Sequence, residues 1–306
     1  MTQRASPLLL TSPALAVIGV FMLVPLGYGL AYSLLTASPY GGAELPLSTE
    51  GYVQILFQRD FDDSLYFSPT YLLILLRSIV LAGLTSVISA ALGLPVAWFI
   101  ASRPARWQGA LLFVVTLPFW VNSLVRTYCW VLLLRDQGLI NMALQGAGLT
   151  HEPLPLMYND GATLVGLVYN FLPFMVLPIY AALERLDPRL IEAAHDLYAT
   201  RRRAFLRIVL PLAVPGMRAG ALMVFAPALG YFLVPDLLGG GRSLMIGNLI
   251  QSAFTSGRNW PFGAALSTLV TAGVLVFLVI AARRGRVEGD AMKGASIRGQ
   301  ASRGEA

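Results

Sequence analysis

Glu192, His195 and Asp196 stand within five residues of one another, and three arginines follow at Arg201, Arg202 and Arg203. On a helix Glu192 and Asp196 share one face, being four residues apart. Acids so placed suit an interaction surface; catalysis would need a nucleophile or a base beside them. The two histidines, His151 and His195, lie far apart, and the single cysteine, Cys129, sits in an apolar run. Neither a disulfide framework nor a cysteine metal site can be built from them. His195 reads as a polar helix side chain rather than a catalytic group. There is no G-x-x-x-x-G-K-[ST] phosphate loop and no H-E-x-x-H pattern, and Gly239-Gly240-Gly241 reads as a turn rather than a phosphate cradle. Other polar residues lie in or beside apolar stretches: Asn122, Arg126, Tyr128, Asp136, Asp160 and Asp236. An intramembrane charge such as Arg126 faces a bundle interior or a cavity, as a structural ion pair or as a gate. Asn122 suits a hydrogen bond between helices. The acids, beside Tyr128, Trp130, Tyr158 and Tyr231, suit a cation through ion pairing and cation–π contact. They equally fit an interfacial aromatic belt with ordinary loop acids.

The elements that hold these residues are apolar. Of 306 residues, 56% are hydrophobic and only 12% charged, and the mean hydropathy is +0.67. Such a chain has lipid as its main solvent. Spans need about 20 apolar residues; the sequence predicts six, at 14–35, 71–101, 109–134, 161–183, 212–234 and 263–282. The first follows Arg4 but is long enough to be a retained span rather than a signal peptide. Arg4, Arg103, Arg106, Arg185, Arg189, Arg201, Arg202, Arg203, Arg207, Arg218, Arg283, Arg284, Arg286, Lys293, Arg298 and Arg303 fall in segments that the positive-inside rule places in the cytoplasm. Glu44, Glu50, Asp60, Asp62, Asp63, Asp136, Glu152, Asp160 and Asp236 fall outside. Both termini are therefore expected inside: a cytoplasmic N-terminus over 1–13, a membrane domain over 14–282, and a polar, disordered cytoplasmic tail over 283–306. The net charge of +6 then serves topology, and nucleic acid binding drops out. Pro and Gly punctuate the fifth span (Pro215, Gly216, Gly220, Pro227 and Gly230), which predicts a broken helix near a pathway.

Between the fourth and fifth spans, residues 184–211 are too polar for lipid. Asp187 and Pro188 form a helix start, as N-cap and first helical residue. Ala193 and Ala194 leave a low surface open to another helix. Thr200 can cap a second helix that runs to Leu210 and stops at Pro211. Arginines at a helix N-terminus oppose its dipole, so Arg201–Arg203 serve topology, anionic headgroups or an acidic partner.

This island resembles the EAA loop of permease subunits of ATP-binding-cassette importers, in which E-A-A is followed after three residues by Gly and, nine residues later, by I-x-L-P. Glu192-Ala193-Ala194 and Ile208-Val209-Leu210-Pro211 are in register. Tyr198 departs, standing where the family usually has Gly to bend the chain. LPFWVNSLVRTYCWVLLLRDQGLIN, GLVYNFLPFMVLPIYAALERLD, FLVPDLLGGGRSLMIGNLIQSAF and NWPFGAAL are similar to the spermidine/putrescine branch. The resemblance implies an all-α, six-span type I importer permease in the bacterial inner membrane, moving a polyamine or a related amino compound such as γ-aminobutyrate, δ-aminovalerate or an opine. It implies a second permease, two ATPase subunits carrying ATP-Mg, and a periplasmic binding protein, with no cofactor on this chain itself. Glu192, Ala193, Ala194, Asp196, Tyr198, Ile208, Leu210 and Pro211 would then couple to the ATPase. A secondary transporter is the nearer alternative and would need ion-coupling acids within its spans. An integral-membrane enzyme is the more distant one and would need clustered catalytic groups.

Overall fold

The computed structural model describes the backbone of residues 7–59, 64–187, 189–241 and 243–301. Arg4, Asp60, Asp62, Asp63 and Pro188 lie outside the described residues, as do residues 302–306 of the tail. Two compact units divide the chain, one from residues 1–68 and 252–306, the other from residues 69–251.

The first unit holds α1 (Pro7–Ser33), an antiparallel hairpin of β1 (Leu35–Ala37) and β2 (Ala43–Leu47), α2 (Glu50–Leu56), and a second hairpin of β3 (Phe57–Arg59) and β4 (Leu65–Phe67). Only α1 is long and apolar enough among these to cross a bilayer, and its most apolar stretch has no buried residue among those described. Its C-terminal end is tied down: Tyr32 lies 6.2 Å from Trp260, and the buried Ser33 hydroxyl bonds both the Leu30 carbonyl and the Tyr52 hydroxyl.

The second unit is built on α3 (Thr70–Ala101), α7 (Asp160–Leu183) and α10 (Leu210–Leu229), which pack on one another. Ala82, Ala97, Leu167, Met175, Val176, Ile179, Ala213 and Val224 make their shared core. Close approach depends on Gly216 and Gly220, four apart on one face of α10. A Cβ at Gly216 would stand 2.5 Å from the Pro178 carbonyl oxygen, and one at Gly220 would meet Met175. This is a small-xxx-small contact, favoured where lipid tails offer helices no hydrophobic reason to associate.

A second break falls where the sequence does not predict one. The fifth predicted span runs as a helix through Pro215, Gly216, Gly220 and Pro227 and gives way only at Gly230, the last of its named breakers. The third predicted span instead splits into α4 (Ala105–Thr116), a 3-10 turn (Leu117–Trp120) and α5 (Ser123–Leu134), bent by 88° at Val121–Asn122. A single Pro118 inside a 3-10 turn, followed by an extended Val121, turns the chain there, whereas Pro215, Gly216, Gly220 and Pro227 are held within α10. Among the described residues five helices are long and apolar enough to span, six when the bent pair counts as one span.

Beyond α5 come α6 (Leu139–Gly146), α8 (Arg189–Asp196), α9 (Arg201–Ala204), α11 (Leu233–Gly239) and α12 (Ile246–Phe254), and α13 (Trp260–Ala301) returns to the first unit. The backbone of α13 continues over 283–301, where the composition predicts disorder. Extending a formed helix is easier than nucleating one. Gly240, with φ +56, ends α11 in the left-handed region with the Tyr158 ring against it. The glycine run is thus a helix cap and packing contact.

Candidate functional site: the polar island and the elbow

Local hydrogen bonding builds the island. Asp187 caps α8 by accepting from the Arg189 amide (3.0 Å). At the other end Ala199 N–H reaches the Ala194 carbonyl and Tyr198 N–H reaches that of His195, both at 2.9 Å. These are the paired bonds of a Schellman cap, whose pivot residue must adopt the left-handed conformation. Tyr198 is that pivot, with φ +57. The bend is therefore kept at the departing position itself, by a side chain that is 94% exposed. The His195 ring nitrogen Nδ1 lies 3.1 Å from the Ala199 carbonyl oxygen, tying the cap from outside.

After the bend the Thr200 hydroxyl accepts from the Arg203 amide (3.4 Å) and starts α9. Pro211 does not stop this helix. Residues Phe205–Val209 form a π turn in which Leu210 N–H bonds the Phe205 carbonyl, and the helix passes through Pro211 into α10. One extra residue in the turn makes room for a ring that lacks an N–H. Ala204 and Val209 are buried, and Phe205 meets Trp98 of α3 edge-on at 6.3 Å. Ile208 and Leu210 are half-buried, and Pro211 is exposed. From Thr200 onward the island is thus continuous with a core helix, and α8 joins it through the capped bend at Tyr198.

On that arm Glu192, Ala193, His195 and Asp196 are exposed and Ala194 is half-buried. Neither acid, nor Arg201, Arg202 or Arg203, has an ion-pair partner among the described residues. Leu190 and Leu197 are exposed as well, 51% and 81%.

The other polar residues separate into different roles. Asn122 caps α5 at the elbow by accepting from the Leu124 amide (2.8 Å). Arg126 is 9% exposed; its Nη1 donates to the Pro118 carbonyl (2.9 Å), and its guanidinium carbon lies 5.4 Å from the Phe119 ring centroid. It thus shares the Pro118 carbonyl with the Val121 amide (3.3 Å) at the break, in place of the ion pair considered from sequence. Tyr128 is half-exposed. Asp136 lines an open cavity of about 530 Å³ with Arg135, Met157 and Tyr158. Asp236 is outside that lining and instead accepts from Asn248 (3.3 Å).

Two clusters escape the sequence reading. Arg77 of α3 pairs with Asp160 and donates to the Ser243 hydroxyl (3.0 Å), which itself donates to Asp160. A lone charge seven residues into an apolar run was its available signal. The second is aromatic: Phe119, Phe174, Phe171 and Tyr231 touch in sequence, and the Tyr231 and Ser123 hydroxyls bond each other. Nothing in residue spacing foretells that chain, because it joins the elbow to α7 and to the end of α10.

Residues 93–287 match the family described as "Binding-protein-dependent transport system inner membrane component". The chain is 40% identical over 260 residues to the spermidine/putrescine transport system permease protein PotB of Haemophilus influenzae, covering 85% of this chain and 86% of that one. It is also 40% identical over 247 residues to PotB of Escherichia coli K12, covering 81% and 90%. A bacterial ABC transporter involved in the import of the acidic polysaccharide alginate shares the fold, with TM-score 0.68 at 17% identity over 90% of this chain and 92% of that one.

Proposed function

Because this chain belongs to the binding-protein-dependent transport system inner membrane components, we propose that it is the permease subunit of an ATP-binding-cassette importer for putrescine, spermidine or a related amino compound. It is a multi-pass inner-membrane transport subunit, not an enzyme, and ATP hydrolysis belongs to a partner. The likeness to PotB over most of both chains supports the cargo class. The alginate transporter supports only the fold, since one fold carries cargoes of unlike charge.

One observation carries the mechanism. The arm α8–α9 is exposed along Glu192, Ala193 and Asp196 yet continuous, through a π turn, with the core helix α10. A partner ATPase that grips α8 pulls on α10 through the capped corner at Tyr198 and the helical turn of α9. Glu192 and Asp196 offer it charge, Ala193 and Ala194 a low contact surface, and Tyr198 the corner. Ile208, Leu210 and Pro211 form the root. Two ATPase subunits, a second permease and a periplasmic binding protein complete the assembly, and both termini face the cytoplasm. On the outer side Asp136, Asp236 and Tyr128 supply the negative and aromatic groups suited to an approaching cation, while Arg126 and Asn122 shape the elbow.

The test is reconstitution with the neighbouring gene products in proteoliposomes. ATP hydrolysis should rise when binding protein loaded with putrescine or spermidine is added. Uptake by this chain alone, driven by a proton or sodium gradient, would overturn the importer reading.

A further inference from the structure

Where α3 gives way to α4, the structure leaves a groove that the transport reading does not use. It is an open cavity of about 380 Å³ lined by Phe99, Arg103, Pro104, Trp107 and Leu111. Phe99 and Trp107 are about half exposed, and Arg103 and its neighbour Arg106 are exposed as well. The Arg103 guanidinium lies 4.2 Å from the Phe99 ring centroid, at the mouth of the apolar lining. Neither arginine has a carboxylate partner among the described residues. The corner itself is held fast: Gln108 Nε2 donates to the Arg103 carbonyl (2.8 Å) and its Oε1 accepts from Tyr180 (2.9 Å).

Position along α3 fixes the depth. Arg77, in the polar cluster with Asp160, and Ala101 at the end of α3, two residues before Arg103, are separated by about 36 Å of helix at 1.5 Å per residue, more than the hydrocarbon thickness of about 30 Å. The two ends of α3 therefore reach opposite headgroup regions. Trp98 against Phe205 puts the Arg103 end on the same side as the arginine-rich arm. An apolar slot lined by the Arg103 guanidinium, with a second exposed arginine, Arg106, next in sequence to the lining Trp107, matches a molecule that is apolar along its length and anionic at one end.

We propose that this groove binds an anionic phospholipid, with an acyl chain along Phe99, Trp107 and Leu111 and the phosphate between Arg103 and Arg106. The inference rests on the membrane-spanning reading but not on the cargo or the coupling arm, so it can fail while importer activity stands.

The experiment uses the importer complex purified in detergent and titrated with brominated phosphatidylglycerol or brominated phosphatidylcholine. Tryptophan quenching is read against the Trp107→Phe complex, to isolate the groove. Phosphatidylglycerol is expected to quench Trp107 at lower concentration than phosphatidylcholine. Arg103→Gln and Arg106→Gln should each raise the half-quenching concentration about fivefold, and the double lysine variant should restore binding. Millimolar inorganic phosphate should leave the quenching in place. Equal quenching by the two lipids, an unchanged midpoint in both glutamine variants, or displacement by phosphate would overturn the proposal. So would crosslinking that shows the Trp107 position covered by another subunit.

Discussion

At position 198 a tyrosine holds φ +57, a conformation that glycine reaches without a Cβ clash and other L-residues reach at a cost of about 1–2 kcal/mol. The two hydrogen bonds of the cap hold it there, and full exposure of the ring removes any packing penalty. Tyr198→Gly should therefore preserve the bend and stabilise the arm by up to about 1 kcal/mol. Slower amide exchange at residues 194–199 would register this. Tyr198→Val, with a β-branched side chain, should accelerate exchange at the same amides. Slower exchange in the valine variant would contradict the strain assigned to this corner. Glu192 belongs to the same scale. Its carboxylate has no ion-pair partner among the described residues, which leaves it open to the proposed ATPase contact. Glu192→Lys should leave folding and membrane insertion intact while weakening ATPase association roughly 30-fold, about 2 kcal/mol for a charge reversed in an interface. Co-purification of the ATPase at wild-type stoichiometry and affinity would remove Glu192 from that role.

Among the elements, the glycines of α10 and α3 differ by their surroundings rather than their spacing. A side chain at Gly216 meets the α7 backbone at once, whereas one at Gly83 has nothing within 4 Å. Gly216→Val should force α10 away from α7 and destabilise by about 1–3 kcal/mol. Gly83→Ala should be neutral or gain up to about 1 kcal/mol of helix propensity. Thermal unfolding of the two variants side by side checks the contrast, and equal effects would refute the close packing of α7 and α10. The same contrast explains the unpredicted break. Proline inside α10 is accommodated because neighbouring turns and helices satisfy the freed groups. At the elbow Pro118 sits in a 3-10 turn whose carbonyl is taken by Arg126, and there the helix does break. The Pro and Gly density that pointed to the fifth span counts breakers without knowing which backbone groups find partners.

For the whole molecule, topology turns on that elbow. Counted as one span, the bent pair gives six crossings and puts both termini on one side; counted as re-entrant, it leaves five and puts them on opposite sides. The distribution of arginine favours six. Fluorescent-protein fusions, which mature only in the cytoplasm, should glow at the N-terminus and at the C-terminus alike, whereas alkaline phosphatase should be active when inserted at residue 148. Fluorescence at one terminus alone would support the odd count.

Much was legible without coordinates. Low charge and long apolar runs determine a membrane protein, because a bilayer admits only segments that satisfy their own backbone and hide few charges. Glu192-Ala193-Ala194 with Ile208-Val209-Leu210-Pro211 locates the arm, and Asp187 and Thr200 mark its helix starts, because capping is a property of a few adjacent residues. Tertiary structure alone decided which proline breaks a helix and that Tyr198 itself takes the bend. It also decided that Arg126 serves a carbonyl rather than an acid and that Arg103 and Arg106 remain unpaired beside a groove. In each case the outcome depends on whether a polar group or a Cβ finds a partner or an obstacle. Those partners come from segments tens of residues away, where no local pattern can reach.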